Sequence, residues 1–213
     1  MTFILNCIQF IAHLDIHLQQ LVLNYGIWVY LILFLIIFIE TGLVVAPFLP
    51  GDSLLFAAGS LAAVGGLNPH LLVLLLFIAA VLGDNLNYFI GRFVGLRLFQ
   101  RPDSRWFKRA YLERSHQFYE EQGHKAIIIA RFIPIIRTFM PFTAGLSRMT
   151  YRRFLGFDLM GGALWVGGIV YASYLFGNIP IIKNNFSLIV FAIIVISLLP
   201  VIWEIAMTQV KRV

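Results

Sequence analysis

Two arginines, Arg131 and Arg137, stand in the run Ala130-Arg131-Phe132-Ile133-Pro134-Ile135-Ile136-Arg137, whose other side chains are all apolar. A guanidinium is a planar fork that grips a phosphate or carboxylate through parallel N–H bonds. An arginine pair in such surroundings is therefore chemistry for an anionic headgroup. A second polar intrusion, Ala46-Pro47-Phe48-Leu49-Pro50-Gly51-Asp52, has Glu40 just upstream, and Leu31 to Ile39 before it carry no polar side chain. Laid over one another, Ala46 to Pro50 and Ala130 to Pro134 read as two copies of one element, one associated with acids and the other with bases. A charge at the bilayer centre costs roughly 2.5–3.5 kcal/mol on insertion scales. Four deep charges would cost on the order of 10 kcal/mol, comparable to the stability of a typical domain. Two acids facing two bases cancel that cost, whereas shallow charges would snorkel to the interface instead. Hydrocarbon disfavours a carboxylate and a neighbouring arginine restores it. Glu40 and Asp52 are thus the candidates for proton exchange, with Arg131 and Arg137 the candidates for headgroup binding.

The composition says what must hold these groups. Of 213 residues, 60% are hydrophobic and 12% charged, with a mean hydropathy of +0.87. A soluble domain carries about 25% charged residues. Apolar runs of about 20 residues recur, which predicts an all-α polytopic membrane protein. A single cysteine, Cys7, excludes an internal disulfide framework. The first twelve residues are apolar but hold no Lys or Arg, so they read as mature chain rather than a cleaved signal. Residues 1–91 contain no Lys or Arg, whereas 92–153 hold 13 of the 16. Such a block beside membrane segments is an orientation signal rather than a nucleic-acid footprint, and it places 92–153 in the cytoplasm.

Along the chain, residues 1–24 predict an amphipathic helix lying in the interface. Residues 25–91 form a first repeat: a span from Tyr25 to Ala46, a Pro- and Gly-broken hairpin at about 47–69, and a span from His70 to Gly91. Residues 92–125 are a basic cytoplasmic linker in which Trp106, Phe107, Tyr111 and Phe118 can share one side of a surface-lying helix. A second repeat, 126–177, contains a hairpin at about 126–147 and a span from Phe154 to Gly177. Residues 178–213 supply a last span, Phe186 to Met207, and a cytoplasmic tail. Both flanks of 126–147 are basic, so a simple crossing would violate the positive-inside rule. A re-entrant hairpin broken by Pro134 and Pro141 keeps both flanks inside. Two such hairpins from opposite leaflets give the inverted repeat of secondary transporters. The expected architecture is four transmembrane helices plus two opposed re-entrant hairpins, with both termini cytoplasmic.

The run Phe38-Ile39-Glu40, then Pro47-Phe48-Leu49-Pro50-Gly51-Asp52, Gly123, Arg131-Phe132-Ile133-Pro134, Arg137 and Gly145 resembles the DedA family of bacterial inner-membrane proteins, the SNARE-associated or VTT-domain superfamily. Gly83-Asp84, Tyr88, Gly91-Arg92 and Gly162-Ala163-Leu164-Trp165 fit the same pattern, in order and over nearly the whole chain. The resemblance implies a lipid-handling membrane transporter with two re-entrant hairpins. It places the required acids on Glu40 and Asp52 and the required arginines on Arg131 and Arg137, supported by Pro50, Gly51, Pro134, Asp84, Tyr88 and Arg92. Bacterial relatives are implicated in returning undecaprenyl phosphate across the inner membrane and in proton-dependent drug and alkali tolerance; distant eukaryotic relatives scramble phospholipids. One departure stands out. The position before Leu159-Met160-Gly161 is commonly Asn in relatives and is Asp158 here, an acid expected at the membrane face beside Arg152 and Arg153.

Other motifs carry less. His13 and His17 lie one helical turn apart, but no third ligand or general base accompanies them, so no metal is expected. Gly51-Asp52-Ser53 and Gly145-Leu146-Ser147 lack the frame of a nucleophile elbow. Gly91 with Gly95, and Ala163 with Gly167, have the spacing of close helix contacts. The basic aromatic stretch 104–122 suits anionic lipid or plain cytoplasmic anchoring equally. The expectation is a non-enzymatic flippase in the bacterial inner membrane, without cofactor. It moves an anionic lipid, undecaprenyl phosphate or a phospholipid, with protons as the coupling option and no nucleic-acid partner. Rival readings are an intramembrane lipid phosphatase or transferase, and a non-transporting envelope-homeostasis factor. Oligomeric state, transport direction and exact substrate are not encoded in any motif.

Overall fold

A computed structural model describes residues 25–43, 51–63, 65–99, 109–177 and 179, and every regular element among them is helical. In chain order these are α1 (Ile27–Gly42), α2 (Gly51–Ala63), α3 (Pro69–Phe99), α4 (Arg109–Gln122), a 3₁₀ turn (Gly123–Lys125), α5 (Ala126–Ala130), α6 (Pro134–Leu146), α7 (Tyr151–Gly162), a π-helical turn (Ala163–Gly167) and α8 (Gly168–Gly177). The chain divides into two compact units. One holds residues 50–72 and 169–213 with the chain up to Leu31; the other holds 32–49 and 73–168.

Two continuous helical stretches, Pro69–Gly95 and Tyr151–Gly177, each have 27 residues and are apolar enough to cross a membrane. At a rise of about 1.5 Å per residue, each reaches roughly 40 Å, against a hydrocarbon core of about 30 Å. The apolar α1 has 16 residues. The expected span Phe186 to Met207, the N-terminal helix with His13 and His17, and Pro47 to Pro50 lie outside the described residues.

The faces of α3 are inverted relative to a helix of a water-soluble protein. Leu71, Leu74, Ile78, Leu82, Leu86, Phe89 and Phe93 form an exposed stripe at helical spacing. The buried stripe opposite begins with Leu72 and Leu76 and from there on is small or polar: Ala79, Ala80, Gly83, Asp84, Asn87, Tyr88 and Gly91. Lipid is as apolar as leucine, so helices gain nothing by hiding leucines from it. Small residues that admit close approach, and polar residues that find partners, go inside instead.

In the unit containing 73–168, α3 meets α6 backbone to backbone. A Cβ on Gly91 would strike the Phe142 carbonyl, and one on Gly145 would strike the Tyr88 carbonyl. Gly95 faces Leu146 in the same crossing. The pair Ala163 and Gly167, by contrast, falls in the π turn, where Ala163 is exposed and a Cβ on Gly167 would touch nothing among the described residues. The core joins Tyr88, Ala126, Ile127, Ala130, Met140, Ala144, Met149 and Phe154. Helix α4 packs on α6 and brings Phe118 and Tyr119 against this core, with Ser115 fully buried. Its opposite side, with Glu113, Arg114, Gln117, Glu120 and Glu121, is exposed, and Trp106 and Phe107 lie outside the described residues. Helix α3 extends to Phe99, into the stretch expected to be linker. Gly123, at φ +61°, makes the turn out of α4 in a conformation that favours glycine.

The segment 126–147 is interrupted once. Residues 131–133 separate the five residues of α5 from the thirteen of α6. Ile133 is extended (φ −115°, ψ 106°) because a residue preceding proline is pushed out of the helical region, and Pro134 opens α6 where a missing N–H costs nothing. Pro141, expected to help make the break, instead lies inside α6.

In the other unit, Gly59 of α2 lies against the backbone of Val170, and Gly177 of α8 lies against Ser60 and Ala63. Asn68 caps α3: its Oδ1 accepts the N–H groups of His70 (3.0 Å) and Leu71 (3.1 Å), and its own N–H donates to the Tyr30 hydroxyl at 2.7 Å.

Candidate functional site: a buried acid and arginine cluster

The break after α5 positions the first arginine. The N–H groups of Arg131, Phe132 and Ile133 donate to the carbonyls of Ile128, Ile129 and Ala130 (3.3, 3.2 and 2.9 Å), which tightens the last turn of α5 and ends it. Arg137 follows in the first turns of α6. Glu40 comes from the last turn of α1, Asp84 from the middle of α3 and Asp158 from α7. All five belong to one unit.

Arg137 Nη2 donates to Glu40 Oε1 at 2.5 Å. Arg131 Nη2 donates to two carboxylates at once, Asp84 Oδ2 and Asp158 Oδ1. It also reaches the Asp158 carbonyl at 3.4 Å. Side-chain exposure is 7% for Arg131, 6% for Asp84 and 0% for Asp158, so water contributes little to holding these charges apart. A buried ion pair repays the loss of hydration only if geometry is good and the remaining polar atoms are satisfied. The second oxygen of Asp158, Oδ2, is buried and has no hydrogen-bond partner among the described residues.

Packing as well as charge fixes Arg131. A Cβ on Gly161 would lie 2.9 Å from Arg131 Cδ and 3.0 Å from its Nε, and one on Gly162 would lie 3.6 Å from its Nη2. The Gly161-Gly162 pair is thus a side-chain-free trough in α7 along which Arg131 lies. Just beyond it, the π turn presents Trp165, whose ring centre is 5.9 Å from the Arg131 guanidinium carbon and 5.0 Å from that of Arg137. One indole therefore faces both cations within cation–π range. Single π turns of this kind are frequent at functional sites. Asn87 ties the surrounding helices together, donating to the carbonyls of Thr41 (3.1 Å) and Thr138 (2.8 Å). The first of these is an end-of-helix carbonyl that α1 cannot satisfy itself. Glu40, Thr41, Asp84, Arg131, Arg137, Thr138, Asp158 and Trp165 all line a cavity of about 20 Å³, room for roughly one water molecule.

A second polar cluster sits one turn along α3. The Tyr88 hydroxyl donates to the Met149 carbonyl, and Arg92 Nη1 donates to that hydroxyl at 2.8 Å and to the same carbonyl at 3.4 Å. Tyr88 is fully buried and stacks on Phe154, ring centres 4.4 Å apart. These contacts hold the 147–150 loop between α6 and α7, so they position rather than line the cavity.

Glu40, Arg131 and Arg137 are brought together, with Asp84 beside them. Asp52 is the second residue of α2 and belongs to the other unit, as does Gly51, which is buried. Pro134 is the first residue of α6. Asp158 is the main correction. It was expected at the membrane face beside Arg152 and Arg153; those two are exposed, whereas Asp158 lies inward on Arg131. The reason is helical phase: Asp158 shares the inward side of α7 with Phe154, Gly161 and Gly162. Trp165, Asn87 and Gly161 received no role from the sequence. The signal available for Gly161 and Trp165 was the Gly-Gly pair followed closely by a tryptophan. Among the described residues, no group of three or more His, Cys, Asp or Glu side chains is arranged to hold a metal.

Comparison with known proteins adds an independent line. The model of the VTT domain matches residues 49–175. Protein DedA of Escherichia coli (strain K12) is 55% identical over 200 residues, covering 93% of this chain and 91% of that protein. An uncharacterized membrane protein of Mycobacterium leprae (strain TN) is 48% identical over 165 residues, 78% and 74% of the two chains. Inner membrane protein YqjA of Escherichia coli (strain K12) is 39% identical over 155 residues, 71% and 69%. No solved structure matches the chain.

Proposed function

Because the chain belongs to the DedA family of VTT-domain membrane proteins, we propose that it is a lipid transporter that carries an anionic headgroup across the inner membrane. Undecaprenyl phosphate is the favoured substrate, and protons are the coupling ion. The reading takes the interrupted segment 126–147 and the segment 47–69 as opposed re-entrant hairpins of an inverted repeat. Arg131 and Arg137 bind the phosphate, Glu40 and Asp52 exchange protons, and the prenyl tail stays in lipid.

The observation that carries this reading is the pair of arginines sharing one tryptophan and one small cavity, each with a carboxylate already bound. Carboxylate and phosphate compete for the same forked donors. Protonating the acid therefore releases the arginine for the headgroup, and binding the headgroup favours protonation; the two events are linked through a shared partner. A cavity of about 20 Å³ is too small for a phosphate group, so in this reading headgroup entry requires the ion pairs to open.

The test is reconstitution into liposomes carrying labelled undecaprenyl phosphate, following transbilayer accessibility of the label at two pH values. The expected result is protein-dependent exchange that is faster at the more acidic pH, with a smaller pH response in Glu40→Gln. Exchange no faster than in empty liposomes contradicts the proposal. Release of inorganic phosphate from a polyprenyl pyrophosphate would favour a lipid phosphatase instead.

A further inference from the structure

We infer that Asp84 and Asp158 form a carboxyl–carboxylate pair holding one proton between them, a proton-binding site separate from Glu40. One guanidinium nitrogen of Arg131 serves both aspartates, so two negative charges face a single positive one. All three side chains are nearly or fully buried. With both aspartates ionised the triad carries a net charge of −1 in a span surrounded by hydrocarbon, where a single charge costs roughly 2.5–3.5 kcal/mol. Two carboxylates converging on one site do not both ionise readily; one proton between them removes most of the repulsion.

The unpartnered Asp158 Oδ2 is the second observation. A buried charged oxygen with no donor is the costliest state available to this triad, and a proton on the pair removes it. Among the described residues, the cation in contact with both aspartates is Arg131 itself. From α6, Arg137 faces the same cavity with its Nη2 on Glu40 of α1, and the Trp165 ring faces both guanidinium groups.

This inference rests on the transporter reading for its consequence. A triad holding one proton is neutral at rest. Taking up a second proton turns both aspartates into neutral acids and frees Arg131 for one negative charge of a phosphate headgroup. Proton and anion then enter together, and the net charge of the site is unchanged.

Infrared spectroscopy of the whole protein in liposomes tests the pair directly, because a protonated carboxyl gives a C=O stretch resolved from ionised carboxylates and from the amide bands. At neutral pH the wild type shows such a band, and carbon-13 labelling of aspartate carboxyls shifts it. That measurement depends on no variant folding. The same band disappears in Asp84→Asn and in Asp158→Asn taken singly, since either leaves one aspartate ionised against Arg131. It persists in Glu40→Gln and Asp52→Asn. Absence of an aspartate band in the wild type, or its survival in Asp158→Asn, overturns the inference. If the transporter reading alone is wrong, the band behaves as described while the same liposomes exchange no labelled undecaprenyl phosphate.

Discussion

Arg131 holds two buried carboxylates, so its removal strands both. Breaking a buried ion pair from one side costs about 3–5 kcal/mol, because an uncompensated charge is left behind. Arg131→Ala should therefore melt well below the wild type in detergent. The charge-matched triple variant Arg131→Ala/Asp84→Asn/Asp158→Asn should recover most of that loss, and equal melting of the single and triple variants would refute the pairing as a stability term. Trp165 acts on affinity instead. Trp165→Ala removes the shared indole and should weaken headgroup binding by about 1–2 kcal/mol, roughly 5–30-fold, whereas Trp165→Phe should lose less. Titration of labelled lipid phosphate into purified protein measures both. At this scale the sequence revealed Glu40, Arg131 and Arg137, since a charge inside an apolar run stands out without any knowledge of its neighbours. It misplaced Asp158, because exposed Arg152 and Arg153 six and five residues earlier suggested an interfacial stretch. What turns Asp158 inward is its register with Gly161 and Gly162, which only the packing of α7 against Arg131 reveals.

At the level of elements, the α3 and α6 crossing depends on glycine. Gly91→Ala or Gly145→Ala drives a methyl group into a partner carbonyl, and overpacking of that kind costs about 1–3 kcal/mol. Gly156→Ala is the control: it sits inside α7 with nothing near its would-be Cβ, and a mid-helix Ala is favoured over Gly by about 1 kcal/mol. Thermal melts should thus fall for the first two and hold or rise for the third; a uniform fall would mean that helix contact is not what these positions serve. The Gly91 and Gly95 spacing was legible as a contact motif because small residues four apart line one face. The same spacing at Ala163 and Gly167 misled, since a π turn shifts the register by a residue and no sequence pattern announces it. Pro134 was readable as a break and Pro141 was not readable as a helix residue. The difference is that Ile133 is free to become extended, whereas the backbone on both sides of Pro141 is already committed to α6.

For the whole molecule, the basic flanks of 126–147 decide between crossing and return. In a Cys7→Ser background, Glu120→Cys and Thr150→Cys should react with a membrane-impermeant maleimide only from the cytoplasmic side; both positions are exposed. Labelling from opposite sides would make 126–147 a simple crossing and remove the re-entrant hairpin. The all-helical class, with helices apolar enough to cross a membrane, was legible from hydropathy alone, because a bilayer imposes helical spans through their backbone requirements. The partnering of charges was not, since Asp84, Arg131 and Asp158 meet across sequence separations of 47 and 27. The most direct measurement separates a grip of Arg131 on lipid phosphate from its structural role. Wild type and the triple variant Arg131→Ala/Asp84→Asn/Asp158→Asn, matched for melting temperature and reconstituted at equal density, are compared for transbilayer exchange of labelled undecaprenyl phosphate. The predicted result is rapid exchange by the wild type and exchange at the level of empty liposomes by the variant. Equal exchange by the two proteins would contradict it.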